Sequence, residues 1–212
     1  MTDTSTSAEQ FWEGFYQERD AVWSGRPNPL LVREIEALQP ASAMDLGCGE
    51  GADAVWLAGQ GWQVTAVDIS ATALGRAAAH ADAAGVGDRI EWVRHDLSRS
   101  APEGSFDLVS AQFLQSPVAG PGEWEAILRR AAGAVAPGGT LLIVSHAGWP
   151  TWVETPPHDY RFPTIDEILR ALDLPDGWTV ALTELVERHH DGPDGQHGVR
   201  GDNVVRVVRN KT

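Results

Sequence analysis

The stretch Met44-Asp45-Leu46-Gly47-Cys48-Gly49-Glu50-Gly51 constrains this chain more than any other, because three glycines at alternate positions follow an apolar run that carries a carboxylate. Pro40 to Met44 leads into a short buried strand, the glycines permit a tight turn with close backbone approach, and Ala52 to Gly59 reads as a helix. Strand, glycine turn and helix N-terminus together make a cradle whose unpaired amides point at a ligand. Glycine spacing alone admits two cofactor classes, since Gly47, Gly49 and Ala52 also satisfy the GxGxxA form of dinucleotide enzymes. Asp45 separates them. Dinucleotide fingerprints favour an apolar residue at that buried strand end, whereas a carboxylate beside the turn suits a ligand with an ammonium or sulfonium charge.

Three later segments continue the pattern. Gln63 to Asp68 alternates as a strand and ends in a carboxylate about twenty residues past the turn, in reach of ribose hydroxyls. Arg89 to Leu97 reads as a third strand ending in Asp96, and Phe106 to Gln112 as a fourth. In this order and spacing, residues 41 to 146 resemble class I S-adenosylmethionine-dependent methyltransferases, with Asp45 and the glycine turn as motif I and the fourth strand as motif IV. The resemblance implies an α/β fold: a three-layer Rossmann-like sandwich around a mostly parallel seven-stranded sheet that closes with a C-terminal antiparallel hairpin. It also implies S-adenosyl-L-methionine as cofactor and S-adenosyl-L-homocysteine as product. Asp45, Gly47, Cys48 and Gly49 would then hold the cofactor at the turn, Asp68 and Ile69 at the ribose, Asp96 and the Leu97 amide at the adenine, and Gln112 at the end of the fourth strand. Asp68 has a competing reading as a helix cap together with Ser70. Asp107 is expected to position its strand, and Cys48 to fill the turn rather than act as a nucleophile.

The loop from Ala21 to Pro29 resembles the segment that closes over the cofactor in thiopurine and tellurite-resistance type methyltransferases. That likeness puts Trp23 against the ligand and Arg26 on the methionine carboxylate. A core anchor and a solvated charge are the equal alternatives.

A chain of 212 residues suits one α/β core and is too short for a full second domain. A single domain is expected over 1–212, with a helical cap (1–39), a cofactor-binding core (40–146) and an acceptor lid with hairpin (147–212). One cysteine excludes an internal disulfide, and neither a long apolar run nor a basic signal-peptide start is visible. A cytoplasmic protein is the expectation. Net charge is −14, and of sixteen basic residues one is a lysine, Lys211, while the arginines are dispersed among thirty carboxylates. Phosphate neutralisation needs clustered cations, so nucleic acid and anionic membranes are excluded as partners and a small-molecule acceptor is expected, on a monomer or homodimer.

Helices are predicted over Ala8–Glu18, Pro27–Leu38, Ala71–Ala84, Glu123–Ala136 and Ile165–Leu172, with Pro137-Gly138-Gly139 stopping the fourth of these. Thr140 to Ser145 reads as a strand buried on both faces, and Trp178–Glu187 and Asn203–Arg209 as two strands joined by a long polar loop. Ligands in such sheets sit beyond the strands' carboxyl ends, which makes His146 the candidate catalytic base; its competing role is a hydrogen bond to a loop carbonyl. His158, His189, His190 and His197, with Asp159, Asp191 and Asp194, match no compact metal template, so the His189–Gly198 stretch is read as a hairpin loop and no metal is expected. Trp149, Trp152, Tyr160 and Phe162 suggest an aromatic lid over the site or packing against the sheet. Pro156-Pro157 falls outside the place after the fourth strand where amino-group methyltransferases carry their Asn-Pro-Pro motif. Methylation of a hydroxyl is therefore favoured, with a thiol or metalloid next. A non-catalytic cofactor-binding module and a dinucleotide-dependent oxidoreductase are the rival classes.

Overall fold

The computed structural model describes residues 7–156, 160–191 and 195–211. Two helices come first, α1 (Ala8–Gln17) and α2 (Pro29–Ile35). Ser7 and Gln10 close a reciprocal capping box on α1. Asn28 caps α2 through the Leu30 amide, with Pro29 in the first turn. That cap makes α2 shorter than the predicted Pro27–Leu38, because Asn28 must stay extended to bring its side chain back to the helix.

The remaining elements are β1 (Ser42–Leu46), α3 (Ala52–Gly59), β2 (Gln63–Asp68), α4 (Ala71–Ala84), β3 (Ile90–Arg94), β4 (Phe106–Gln112), α5 (Glu123–Gly133), β5 (Val135–His146), α6 (Ile165–Leu172), β6 (Trp178–Asp191) and β7 (His197–Arg209). They form a seven-stranded sheet in the order β3-β2-β1-β4-β5-β7-β6. The first five strands are parallel, and β7 runs antiparallel between β5 and β6. This is the Rossmann-like sandwich with its reversed hairpin that the sequence pattern implies. Strand β5 explains the layering: Leu141 and Ile143 join one apolar cluster with α5 and α6, while Leu142 and Val144 join the other with α2 and α3. Burial on both faces is why the strand reads as an unbroken apolar run, each Leu or Ile contributing about 1.5–3 kcal/mol. Asp107 fastens β4 to β1, its Oδ2 accepting from the Ser42 hydroxyl at 2.6 Å and from the Ser42 amide at 3.1 Å.

Two expectations are corrected. Helix α5 stops at Gly133, and Pro137-Gly138-Gly139 lies inside β5. The register jumps from Phe106↔Val135 to Leu108↔Thr140, so the intervening residues bulge out of the ladder, where a proline without an amide loses no strand bond. The two strands run further into the His189–Gly198 stretch than expected: pairing continues through His189↔Val199, His190↔Gly198 and Asp191↔His197. The paired ribbon extends past the last β5 partner pair, His146↔Asp202, where apolar residues are not required and the sequence therefore looks like loop.

Candidate functional site

At the carboxyl end of β1 the backbone turns through Gly47 (φ 67°) and Gly49 (φ 54°). Both hold backbone conformations that favour glycine, and both sit close against a neighbouring side chain. A Cβ on Gly47 would meet Leu114 Cδ2 at 2.4 Å, and one on Gly49 would meet the Tyr16 hydroxyl at 2.8 Å. Helix α3 then starts with no side-chain cap, which leaves its first amides available at the turn.

Carboxylates surround this turn. Asp45 is 2% exposed, and its Oδ2 has no hydrogen-bond partner among the described residues. Burial, then the neighbouring Asp53 and Asp68, push its carboxyl well above the usual range, against a Ser110 hydrogen bond that lowers it. Burial likewise raises Asp53 to about 6. Asp68 Oδ2 accepts from the Gly49 amide and Oδ1 from the Ser70 amide, both at 2.9 Å, and the Ile69 backbone also hydrogen-bonds this carboxylate. Burial raises Asp68 as well, outweighing those bonds. The helix cap of α4 is Ser70 itself, through the Ala73 amide. Cys48 lies among these acids, and burial, then Asp45 and Asp68, raise its thiol well above the usual range. An orphaned buried carboxylate, raised acid pKa values and a glycine cradle are what a cationic nucleoside would relieve, so the residues present fit S-adenosylmethionine.

The adenine-side candidates are bound locally. Asp96 Oδ1 accepts from the Ser98 hydroxyl and amide, and Oδ2 from Arg99; desolvation raises its carboxyl, but these bonds win and hold it below the usual range. Arg94 donates to the Ile69 carbonyl, and Arg130 to that of Leu97.

A lid formed by α1 and the loop before α2 covers the turn. Glu50 accepts from the Val22 and Trp23 amides and pairs with Arg76, which also donates to the Tyr16 and Arg19 carbonyls. Asp53 accepts from the Asn28 amide at 2.6 Å, and Asn28 Nδ2 donates to Gln112 Oε1 at 2.7 Å. Glu13 takes hydrogen bonds from Thr72 and Ser70, which lower its carboxyl to about 2. Trp23, 56% exposed, donates its indole N–H to Tyr16 beside Gly49. Arg26 is exposed, with its amide on Ser24 Oγ. Glu13, Tyr16, Glu50, Asp53 and Arg76 were not singled out in the sequence. Glu50 and Asp53 sit within or just after the glycine motif, which is the one signal that points to them.

At the ends of β4 and β5 a second constellation forms. His146 Nδ1 lies 2.8 Å from Asp202 Oδ1, and Asp202 is fully buried. A carboxylate can only accept, so Nδ1 carries the proton and Nε2 the lone pair. Arg188 donates to Asp202 Oδ2 at 2.6 Å. Burial lowers the imidazole pKa below its ordinary value; Asp202 opposes this and Arg200 and Arg188 add to it, so the ring is neutral near pH 7. Phe113 stacks on His146 with centroids 4.2 Å apart, and its backbone sits at φ 54°, a left-handed conformation that costs a phenylalanine energy. Gln115 grips the His146 main chain from both sides, accepting from its amide at 3.2 Å and donating to its carbonyl at 3.1 Å. Asp202 and Arg188 were missed because only the β5–β7 and β6–β7 registers bring them to His146.

Trp149 and Tyr160 both pack edge-on against Phe162. Gln115, Trp124 and Tyr160 line a cavity of about 450 Å³. Among the described residues, no group of three His, Cys, Asp or Glu is placed to hold a metal ion; His158, Asp159 and Asp194 lie outside them. No described helix is long and apolar enough to cross a membrane.

Fold, glycine turn and strand-end acids together define a class I methyltransferase architecture. Residues 43–139 match the family model described as Methyltransferase domain, and this match supports a class I S-adenosylmethionine-dependent methyltransferase. A ubiquinone biosynthesis O-methyltransferase of Burkholderia orbicola (strain MC0-3) is 32% identical over 118 residues, 54% of this chain and 50% of that protein. A ribosomal RNA small subunit methyltransferase C of Chromohalobacter salexigens is 34% identical over 52% of this chain and 34% of its own length. The chain thus spans half or less of these curated relatives. Among solved structures, one described as converting a disulfide bond into a thioacetal group during echinomycin biosynthesis has a TM-score of 0.70 at 23% identity, covering 96% of this chain and 94% of that one. The N-methyltransferase NodS of Bradyrhizobium japonicum WM9, in complex with S-adenosyl-L-homocysteine, has a TM-score of 0.68 at 16% identity, covering 96% and 99%. At such identities these structures speak to the fold.

Proposed function

We propose that this chain methylates a hydroxyl group of a small molecule, with His146 as general base and Asp202 as the residue that positions it. The observation that carries the reading is the Nδ1–Asp202 bond, which fixes the tautomer with the lone pair on Nε2, while burial keeps the ring neutral. Bound S-adenosylmethionine would supply a methyl carbon already activated by a sulfonium. Asp45 and the α3 amides would receive its charged methionine end, Asp68 and Ile69 the ribose, and Asp96 with the Leu97 amide the adenine, while Trp23 and Arg26 close over it and Gln112 borders the acceptor.

His146 would take the hydroxyl proton as the new carbon–oxygen bond forms and the carbon–sulfur bond breaks, so charge is conserved as the sulfonium becomes a thioether. Closure of the lid would exclude water from that step. The ubiquinone O-methyltransferase relatives act on oxygen by name, which supports the hydroxyl. The charge of −14 argues against a ribosomal RNA acceptor in spite of the other relative.

A thiol acceptor is the second reading, favoured by the likeness to the structure from echinomycin biosynthesis, whose described chemistry is on sulfur. Assaying S-adenosyl-L-homocysteine release over phenols, alcohols and thiols tests both. Turnover of phenols that collapses in His146→Ala supports the proposal, whereas turnover of thiols alone, indifferent to His146, would replace it with the second reading. Calorimetry with S-adenosyl-L-homocysteine and with oxidised nicotinamide dinucleotide addresses the cofactor, and tighter binding of the dinucleotide would overturn it.

A further inference from the structure

We infer that the acceptor is a small aromatic hydroxy acid whose carboxylate is received by Arg200; this rests on the hydroxyl reading above. Arg188 and Arg200 occupy directly opposed positions on β6 and β7, so their side chains leave the same face of the ribbon. Like charges in that position are destabilising, and an anion beside them offsets the repulsion. Among the described residues, the carboxylate felt by both is Asp202, two residues from Arg200 on the same strand and on the same face. Its oxygens are shared with other groups: Oδ1 accepts from His146 and Oδ2 from Arg188.

Arg200 spends its Nε–H on the Gly148 carbonyl at 3.2 Å, which fixes the plane of the guanidinium and leaves its other edge for a ligand. With a neutral imidazole, the group His146, Asp202, Arg188 and Arg200 carries one surplus positive charge, inside a chain whose net charge is −14. One surplus charge matches a monoanion, and a guanidinium edge matches the two oxygens of a carboxylate. Phe113 brings an aromatic ring to the same group, stacked on the base and with the Arg188 guanidinium 5.9 Å from its ring centroid. A planar ring carrying a carboxylate toward Arg200 and a hydroxyl toward His146 Nε2 satisfies both.

The test compares 3,4-dihydroxybenzoate, its methyl ester and catechol as acceptors. For the native chain, kcat/KM is expected to be about tenfold or more higher for the acid than for the other two, chiefly through KM. In Arg200→Gln that acid-to-catechol ratio should fall about tenfold, and Arg200→Lys should restore part of it. An equal ratio in the native chain, or one untouched by Arg200→Gln, overturns the inference. Calorimetry of benzoate binding to the protein loaded with S-adenosyl-L-homocysteine separates this from the hydroxyl reading. Benzoate binding that weakens in Arg200→Gln supports the carboxylate site even if no phenol is turned over, while no benzoate binding to the native protein overturns it.

Discussion

The two ends of the ligand crevice are built on opposite principles. Around the glycine turn, the acids Asp45, Asp53 and Asp68 come from one stretch of 24 consecutive residues and carry more negative potential than their surroundings neutralise. Around His146 the partners come from the loop after β4 and from β6 and β7, and guanidinium exceeds carboxylate. One end awaits a cation, the other an anion. The lesson is that a chain of strongly negative overall charge can hold a local field of either sign, since only a few buried groups at short range set it.

If the ends are independent in this way, each substitution should move one kinetic parameter and spare the other. The largest effect is expected from His146→Ala, a loss in kcat of roughly a hundredfold or more with the cofactor Kd unchanged. Steady-state rates beside calorimetry check this, and equal losses in both would erase the contrast. Next comes the acidic end: Asp68→Ala should weaken cofactor binding by about 1–3 kcal/mol by leaving ribose hydroxyls unpaired. Titration of a variant whose thermal melt stays cooperative decides it; unchanged affinity would refute that contact.

Asp202→Asn is expected to lower kcat by about tenfold, because an amide can present its N–H to Nδ1 and stabilise the wrong tautomer. Its signature is a pH profile. Turnover in the native chain should rise with pH through a midpoint below 6.5, since burial depresses the imidazole and only its neutral form accepts a proton. Removing the Asp202 charge, which raises that value, should move the midpoint lower still. A merely structural role would lower kcat without moving it.

The smallest effect concerns protons at the cofactor end. Asp53, raised to about 6, and Asp45, raised further by burial, bind protons that a cation displaces, so cofactor affinity should tighten as pH climbs through about 6, with proton release. Calorimetry in buffers of differing ionisation enthalpy measures the release, and a buffer-independent heat would count against a cation beside these acids.

The same division governs what could be read beforehand. Asp45, Gly47, Gly49, Asp68 and the order of the strands were legible because turn chemistry and periodicity act between near neighbours. His146 could be marked as a strand end, but its tautomer could not, because Asp202 lies 56 residues away and reaches it through antiparallel register. The β6–β7 ribbon misled for a related reason: solvated strands need no apolar pattern, so Arg188 and Arg200 resembled loop. Helix α5 was overrun because the bulge at Pro137 breaks a strand rather than a helix.

Residues 112–115 have an unusual standing among connections that follow strands. Gln112 reaches Asn28, Phe113 covers the imidazole, Leu114 lies over Gly47, and Gln115 returns to the His146 main chain. Surface connections ordinarily absorb insertions and deletions with little harm. Here one added residue would shift each of these side chains onto its neighbour's task, so across related chains this tetrapeptide should keep its length while its flanks vary.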